Sequence, residues 1–207
     1  MFTVSNCNTG PLAGSRCDDE KFGQNVRKQP LALGSKADIR VLIAMANGQA
    51  AKGARAVFKE QGAHIFQIAE GKQDAFEKMH QTVFNMLLIE DTFSDLGGID
   101  FVRFVRMTNL STSIAPVILA MKSPSKETVL EAREVGVNKM IIMPFTAAGL
   151  LKNLADIMLN PRPFIRVTGY SGPCRRLQKM ARKGPELRLK AEGVLGIAKQ
   201  QQLFKGP

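Results

Sequence analysis

Apolar positions along this chain fall into short unbroken runs, separated by stretches in which they return every three or four residues. The runs are IRVLIAM (39–45), HIFQIA (64–69), MLLI (86–89), APVILAM (115–121) and KMIIM (139–143). A run that is apolar on both faces suits a strand buried between two layers, as in a parallel sheet. Between and after the runs, helical spacing predicts elements over 48–62, 72–84, 98–107, 123–136 and 146–159. In the first of these, apolar residues stand at 50, 51, 54, 57 and 58, a period near 3.6. The fourth opens on Ser123 and closes at Gly136, and Thr146 is a capping residue for the fifth. Five strands alternating with five helices predict an α/β domain, a doubly wound five-stranded parallel sheet with right-handed crossovers.

Such a (βα)5 region, 38–159, has the size of a flavodoxin-like domain, whose sites lie beyond the C-terminal ends of the strands. Its flanks read differently. Residues 1–37 are rich in Gly, Ser, Asn, Asp and Lys without a sustained apolar period, which predicts a disordered leader. Residues 160–207 are broken by Pro161, Pro163, Pro173 and Pro185, which predicts an irregular extension with room for one short helix over 186–202. Charge separates the parts further. The whole chain carries +11, and from 160 to 207 eleven Lys and Arg stand against Glu186 and Glu192, so the tail holds +9 of it. A nearly neutral body with a cationic tail implies an anionic partner. Cys7, Cys17 and Cys174 are far apart and odd in number, as expected of reduced thiols, and two histidines give no basis for a zinc site. No apolar run reaches the roughly 18 residues that span a bilayer, and no secretory pattern opens the chain, so the expectation is a cytoplasmic protein.

The strand ends carry the candidate chemistry. The first run closes on Met45, Ala46 and Asn47, the third on Glu90 and Asp91, the fourth on Met121 and Lys122, the fifth on Met143, Pro144 and Phe145. Glu90 stands eight residues before Gly98, which is followed by Ile-Asp, and LEAREVGVNKMIIMPF (130–145) joins a helix through Gly136 to a strand ending in Met-Pro-Phe. In these features region 38–159 resembles the receiver domain of bacterial response regulators, the CheY-like family. That resemblance implies two-component, phosphorelay signalling. The family's chemistry needs an acid pair after the first strand for Mg²⁺, an acceptor Asp after the third, a Thr or Ser after the fourth and a Lys before Pro-Phe after the fifth. This chain has Met45 and Ala46, Glu90, Met121 and Met143 at those places, with Met140 at the family's aromatic switch position. Thioethers and methyls do not hold a hard cation. The expectation is a degenerate receiver: no enzyme, no cofactor, no metal, and no conventional phosphorylation. Asp91 is a shifted alternative acceptor.

Several readings stay open at this level. Met45, Met121 and Met143 each end a strand, so the three are expected to converge and plug the crevice, or else to leave an apolar or Cu(I)-binding hollow. Glu90 either imitates a phosphorylated Asp or is a solvated or paired loop-end acid, with Lys122 as the candidate partner. By resemblance, a signalling partner would meet the face made by the fourth helix, fifth strand and fifth helix, with Met140 and Lys122 among its residues. In the tail, Tyr170, Gly172, Pro173, Arg175 and Arg176 resemble a Tyr-x-Gly-Pro-Asp-Arg-Arg appendix of some single-domain regulators, with Cys174 at the Asp position. Arg175, Arg176, Lys179, Arg182 and Lys183 are the candidates for holding a nucleic acid or a cyclic dinucleotide.

Overall fold

The computed structural model describes residues 39–175 and 193–197, with Gln200 and Gln202. The leader 1–37 and the basic residues Arg176, Lys179, Arg182 and Lys183 lie outside them. Five strands, β1 (Ile39–Ala44), β2 (Ala63–Ala69), β3 (Met86–Glu90), β4 (Val117–Met121) and β5 (Lys139–Ile142), form one parallel sheet in the order β2-β1-β3-β4-β5. Helices α1 (Gly48–Glu60), α2 (Lys72–Gln81), α3 (Gly98–Met107), α4 (Lys126–Glu134) and α5 (Ala147–Leu159) alternate with them. The expected doubly wound fold is the observed one.

Strand alternation divides the core into two layers. Leu42, Ala44, Leu87, Ile89, Val117, Leu119 and Met121 pack with α2 and α3 residues such as Met79, Phe101, Val102 and Val105. Val41, Ile43, Met86, Leu88, Ile118 and Ala120 pack on the other face with Ala54, Phe58, Leu150 and Leu154 of α1 and α5. Every residue of β3 and β4 is buried, which is why both read as unbroken apolar runs.

Local sequence sets the helix starts. The Asn47 carboxamide accepts from the N–H groups of Gln49 and Ala50 and caps α1. Helix α4 begins later than expected: Ser125, not Ser123, is its N-cap, and Thr128 completes a reciprocal capping box. Helix α3 starts without a side-chain cap because its N-cap is Gly97, and its first residue is pressed against the end of β3. A Cβ on Gly98 would lie 2.1 Å from the Glu90 carbonyl oxygen, so only glycine fits there.

The chain after α5 departs from the expected irregular extension. Strands β6 (Phe164–Val167) and β7 (Tyr170–Pro173) form an antiparallel hairpin, and β8 (Val194–Leu195) pairs with the other edge of β6. Thr168 and Gly169 are a two-residue loop with Gly169 at φ +82°, a turn that suits a tight hairpin. The helix expected over 186–202 is interrupted at Val194–Leu195, where strand pairing with Phe164 and Ile165 takes the backbone instead. Among the described residues no helix is long and apolar enough to cross a membrane.

Candidate functional site

At the C-terminal end of the sheet, β3 delivers Glu90 into the gap between the β1–α1 and β4–α4 connections. Glu90 is fully buried. One carboxylate oxygen, Oε2, accepts from the backbone N–H of Ala46 at 2.8 Å and of Asn47 at 3.1 Å. The other, Oε1, accepts from the Thr92 hydroxyl at 3.1 Å and is ion-paired with Lys122 Nζ at 2.9 Å. Lys122 Nζ also donates to Thr92 Oγ1 at 3.3 Å, closing a small ring of three side chains. A buried carboxylate with four donors is the arrangement that keeps such a charge tolerable. Burial by itself would push the Glu90 carboxyl up. The Lys122 ammonium, the Asn47 N–H and the Thr92 hydroxyl outweigh it and hold the group below its ordinary value, while Glu90 raises the Lys122 ammonium in turn.

Glu90 is therefore not a solvated loop-end residue; it is a paired one, and Lys122 is its partner. Lys122, also expected on the partner face, reaches over the crevice to Glu90, with its side chain still 53% exposed. Asp91 is tied down as well. Its Oδ2 accepts from the Lys122 N–H at 3.0 Å, and its Oδ1 is buried without a hydrogen bond among the described residues.

The three methionines do not converge. Met45 is buried in the α1/α5 layer, and Met143 packs against that layer. Met121 is buried in the opposite layer, with Ala132 of α4 and the α3 residues. The reason is the two-residue period of a strand: Met121 has the parity of Val117 and Leu119, whereas the residues of β4 facing α1 and α5 are Ile118 and Ala120. The crevice is filled by the Glu90 carboxylate, not by a sulfur cluster. Ala46 is exposed and offers its N–H rather than a ligand side chain. The residues present do not fit Mg²⁺: both places of the acid pair lack oxygen, and both oxygens of Glu90 already face donors. Among the described residues no group of three His, Cys, Asp or Glu side chains could hold a metal ion.

Thr92 and Asn47 escaped the sequence reading. The signal for Asn47 was available in its position between a strand end and a helix start, where its side chain caps and its N–H is left to donate. Thr92 had no periodic signature. Elsewhere, β5 leaves Met140 and Ile142 on its α4 side, 36% and 63% exposed, and Leu130 of α4 is 48% exposed. Of the tail candidates, Arg175 is described: its guanidinium lies 4.0 Å above the Tyr170 ring.

Comparison with known proteins agrees with this architecture. The chain is 33% identical over 92 residues to the chemotaxis protein CheY1 of Helicobacter pylori, covering 44% of this chain and 73% of that protein. It is 28% identical over 101 residues to the chemotaxis protein CheY of Pseudomonas aeruginosa, covering 49% and 76%. Among solved structures, the chemotaxis response regulator CheY4 of Vibrio cholerae superposes with a TM-score of 0.53 at 21% identity, covering 57% of this chain and 98% of that one. A CheY-like receiver domain protein from Methanospirillum hungatei superposes with a TM-score of 0.52 at 17% identity, covering 58% and 93%. No family model matches the chain.

Proposed function

The chain belongs to the CheY-like response-regulator receiver family of two-component signalling, and from that premise we propose that it is a receiver with a permanently closed phosphorylation crevice that signals by protein–protein contact. The observation that carries this reading is the Glu90 carboxylate held by Ala46, Asn47, Thr92 and Lys122. Phosphoryl transfer requires charge stabilisation arranged around the incoming group. Among the described residues the ammonium at the crevice, that of Lys122, is already neutralised by Glu90, and the metal-binding positions are Met45 and Ala46. The carboxylate supplies a fixed negative charge at the acceptor position, and the pairing with Lys122 ties the β4–α4 connection to β3. That connection leads into α4, so the state of the crevice and the pose of the α4–β5–α5 face are set together. Met140, Ile142 and Leu130 make that face apolar enough for a partner.

Incubation with acetyl phosphate and Mg²⁺ is expected to leave the intact mass unchanged, and so to exclude the alternative of an atypical acceptor at Asp91 or Glu90. An added phosphoryl group, mapped to either residue, would overturn the reading. A second reading, binding of a nucleic acid or cyclic dinucleotide through the tail, is favoured by the +9 charge of residues 160–207. Removal of 176–192, which takes away Arg176, Lys179, Arg182 and Lys183 among others, should then weaken binding of a cyclic dinucleotide or a nucleic acid.

A further inference from the structure

At the other end of the sheet, α3 buries the side chain of Arg106, only 3% exposed. All five of its N–H donors are used. Nε donates to Gly136 O at 3.3 Å, Nη1 to Ala115 O at 2.8 Å and to Ser113 O, and Nη2 to Gly136 O at 2.9 Å and Asn138 Oδ1 at 3.3 Å. Its guanidinium also lies 5.2 Å from the centre of the Phe164 ring of β6. Every partner is neutral, so the charge is solvated by carbonyls but not cancelled. A second guanidinium stands beside it: Arg166 of β6 donates to the Ser113 hydroxyl at 2.9 Å, again a neutral partner.

Both residues line a cleft of about 590 Å³ between α3, the end of α4 and the β6–β7 hairpin. Its wall also includes Met107, Asn109, Val135, Val167, Tyr170 and Glu134. A volume of this size lies in the range of small-molecule sites, roughly 300–1,000 Å³. Arg103 on the rim is already neutralised by Asp100 and Glu131. Those two carboxylates outweigh its single charge but lie outside the cleft wall, whose own charges are three guanidiniums against one carboxylate, Glu134, so an anion is favoured on the Arg166 side. Met107, 78% exposed, and Val167, 48% exposed, add apolar surface that an inorganic ion would leave bare.

We propose that this cleft binds a small organic phosphate, with its phosphoryl oxygens on Arg166 and Asn109 and its body against Met107, Val135 and Val167. A guanidinium fork matches phosphoryl oxygens in geometry, and Arg106 behind it adds field without needing to move. The cleft stands at the N-terminal ends of β4 and β5, since the groups binding Arg106 precede Val117 and Lys139. It is therefore separate from the Glu90 crevice at the opposite end and does not depend on how that crevice functions.

Phenyl phosphate is the probe, titrated into the full ¹⁵N-labelled chain. The expected result is saturable movement of the Met107, Asn109, Val167 and Ser171 amide signals, with inorganic phosphate binding more weakly. Arg166→Gln should weaken phenyl phosphate by about tenfold, the scale of one charge-assisted contact. Ser113→Ala, which removes only the neutral partner of Arg166, should retain binding. Glu134→Gln, at a side chain with no hydrogen bond among the described residues, should tighten it. The proposal is overturned by the absence of saturable shifts at these amides, by shifts confined to residues 176–192, or by an unchanged affinity in Glu134→Gln together with Arg166→Gln.

Discussion

The two ends of the sheet hold buried charges of opposite sign, and they are stabilised in different ways. Glu90 at the C-terminal end is met by two backbone N–H groups, a hydroxyl and a half-exposed ammonium. Arg106 at the N-terminal end is met by backbone carbonyls and one carboxamide, with no acid among its partners in the described residues. The first has a half-exposed partner, Lys122, that can be removed without opening the core. The second is part of the core: its carbonyl partners belong to the turns before β4 and β5, and its ring contact is with β6, so the same side chain joins the receiver sheet to the appended hairpin. A close approach of Gly136 to Gly172 completes that joint, since a Cβ on Gly172 would come within 2.6 Å of the Gly136 Cα.

The contrast orders the expected losses. Arg106→Met should cost most, about 3 kcal/mol or more, because it leaves the Ser113, Ala115 and Gly136 carbonyls buried without donors. Urea denaturation measures it, and a loss below about 1 kcal/mol would show that the carbonyls are readily rehydrated. Gly98→Ala should follow at about 2 kcal/mol, the usual scale of forcing a methyl into a packed site, here against the Glu90 carbonyl. Glu90→Gln should cost about 1–2 kcal/mol at neutral pH, since a carboxamide keeps one acceptor but sets an NH₂ against existing donors.

That last difference should depend on pH. The Glu90 carboxyl is held lower in the folded chain than its ordinary 4.5. Its contribution is complete above that ordinary value and is lost as the pH falls towards the folded one. The gap in urea midpoint between the parent and Glu90→Gln should therefore be full at pH 7 and shrink below pH about 4.5; a gap that widens in acid would contradict the assignment. The smallest effect belongs to Lys122→Ala. Its side chain is half exposed, so the expected change is in titration more than in stability: the Glu90 carboxyl, followed by carbon-13 NMR, should move up towards its ordinary value.

The same contrast explains what could be read in advance. Strands β1, β3 and β4 were legible because burial on both faces leaves an unbroken apolar run, the edge strands β2 and β5 because their runs stay largely apolar although partly exposed, and the helices because their stripes keep a 3.6 period. The acid at the acceptor position was legible from spacing to Gly98. Lys122 was a candidate partner for its carboxylate and is one; its burial and its other donors were not legible, because they are two backbone N–H groups and a hydroxyl from separate connections. Convergence of Met45, Met121 and Met143 was inferred from strand ends alone and failed on strand parity. Arg106 was hidden inside the helix FVRFVRM: one turn after Val102, it lies on the buried stripe, and an arginine there was a signal that went unused. The hairpin was hidden because Gly172 and Pro173 read as breakers, whereas Thr168-Gly169 between FIRV and YSGP was a two-residue turn.

The central claim is that Glu90 fills the crevice where the family holds its metal. Titration of the ¹⁵N-labelled chain with MgCl₂ up to millimolar concentrations tests it most directly, with the amides of Ala46, Asn47, Glu90 and Thr92 as reporters. These four signals should stay in place; saturable, stoichiometric movement of all four would show Mg²⁺ entering the crevice.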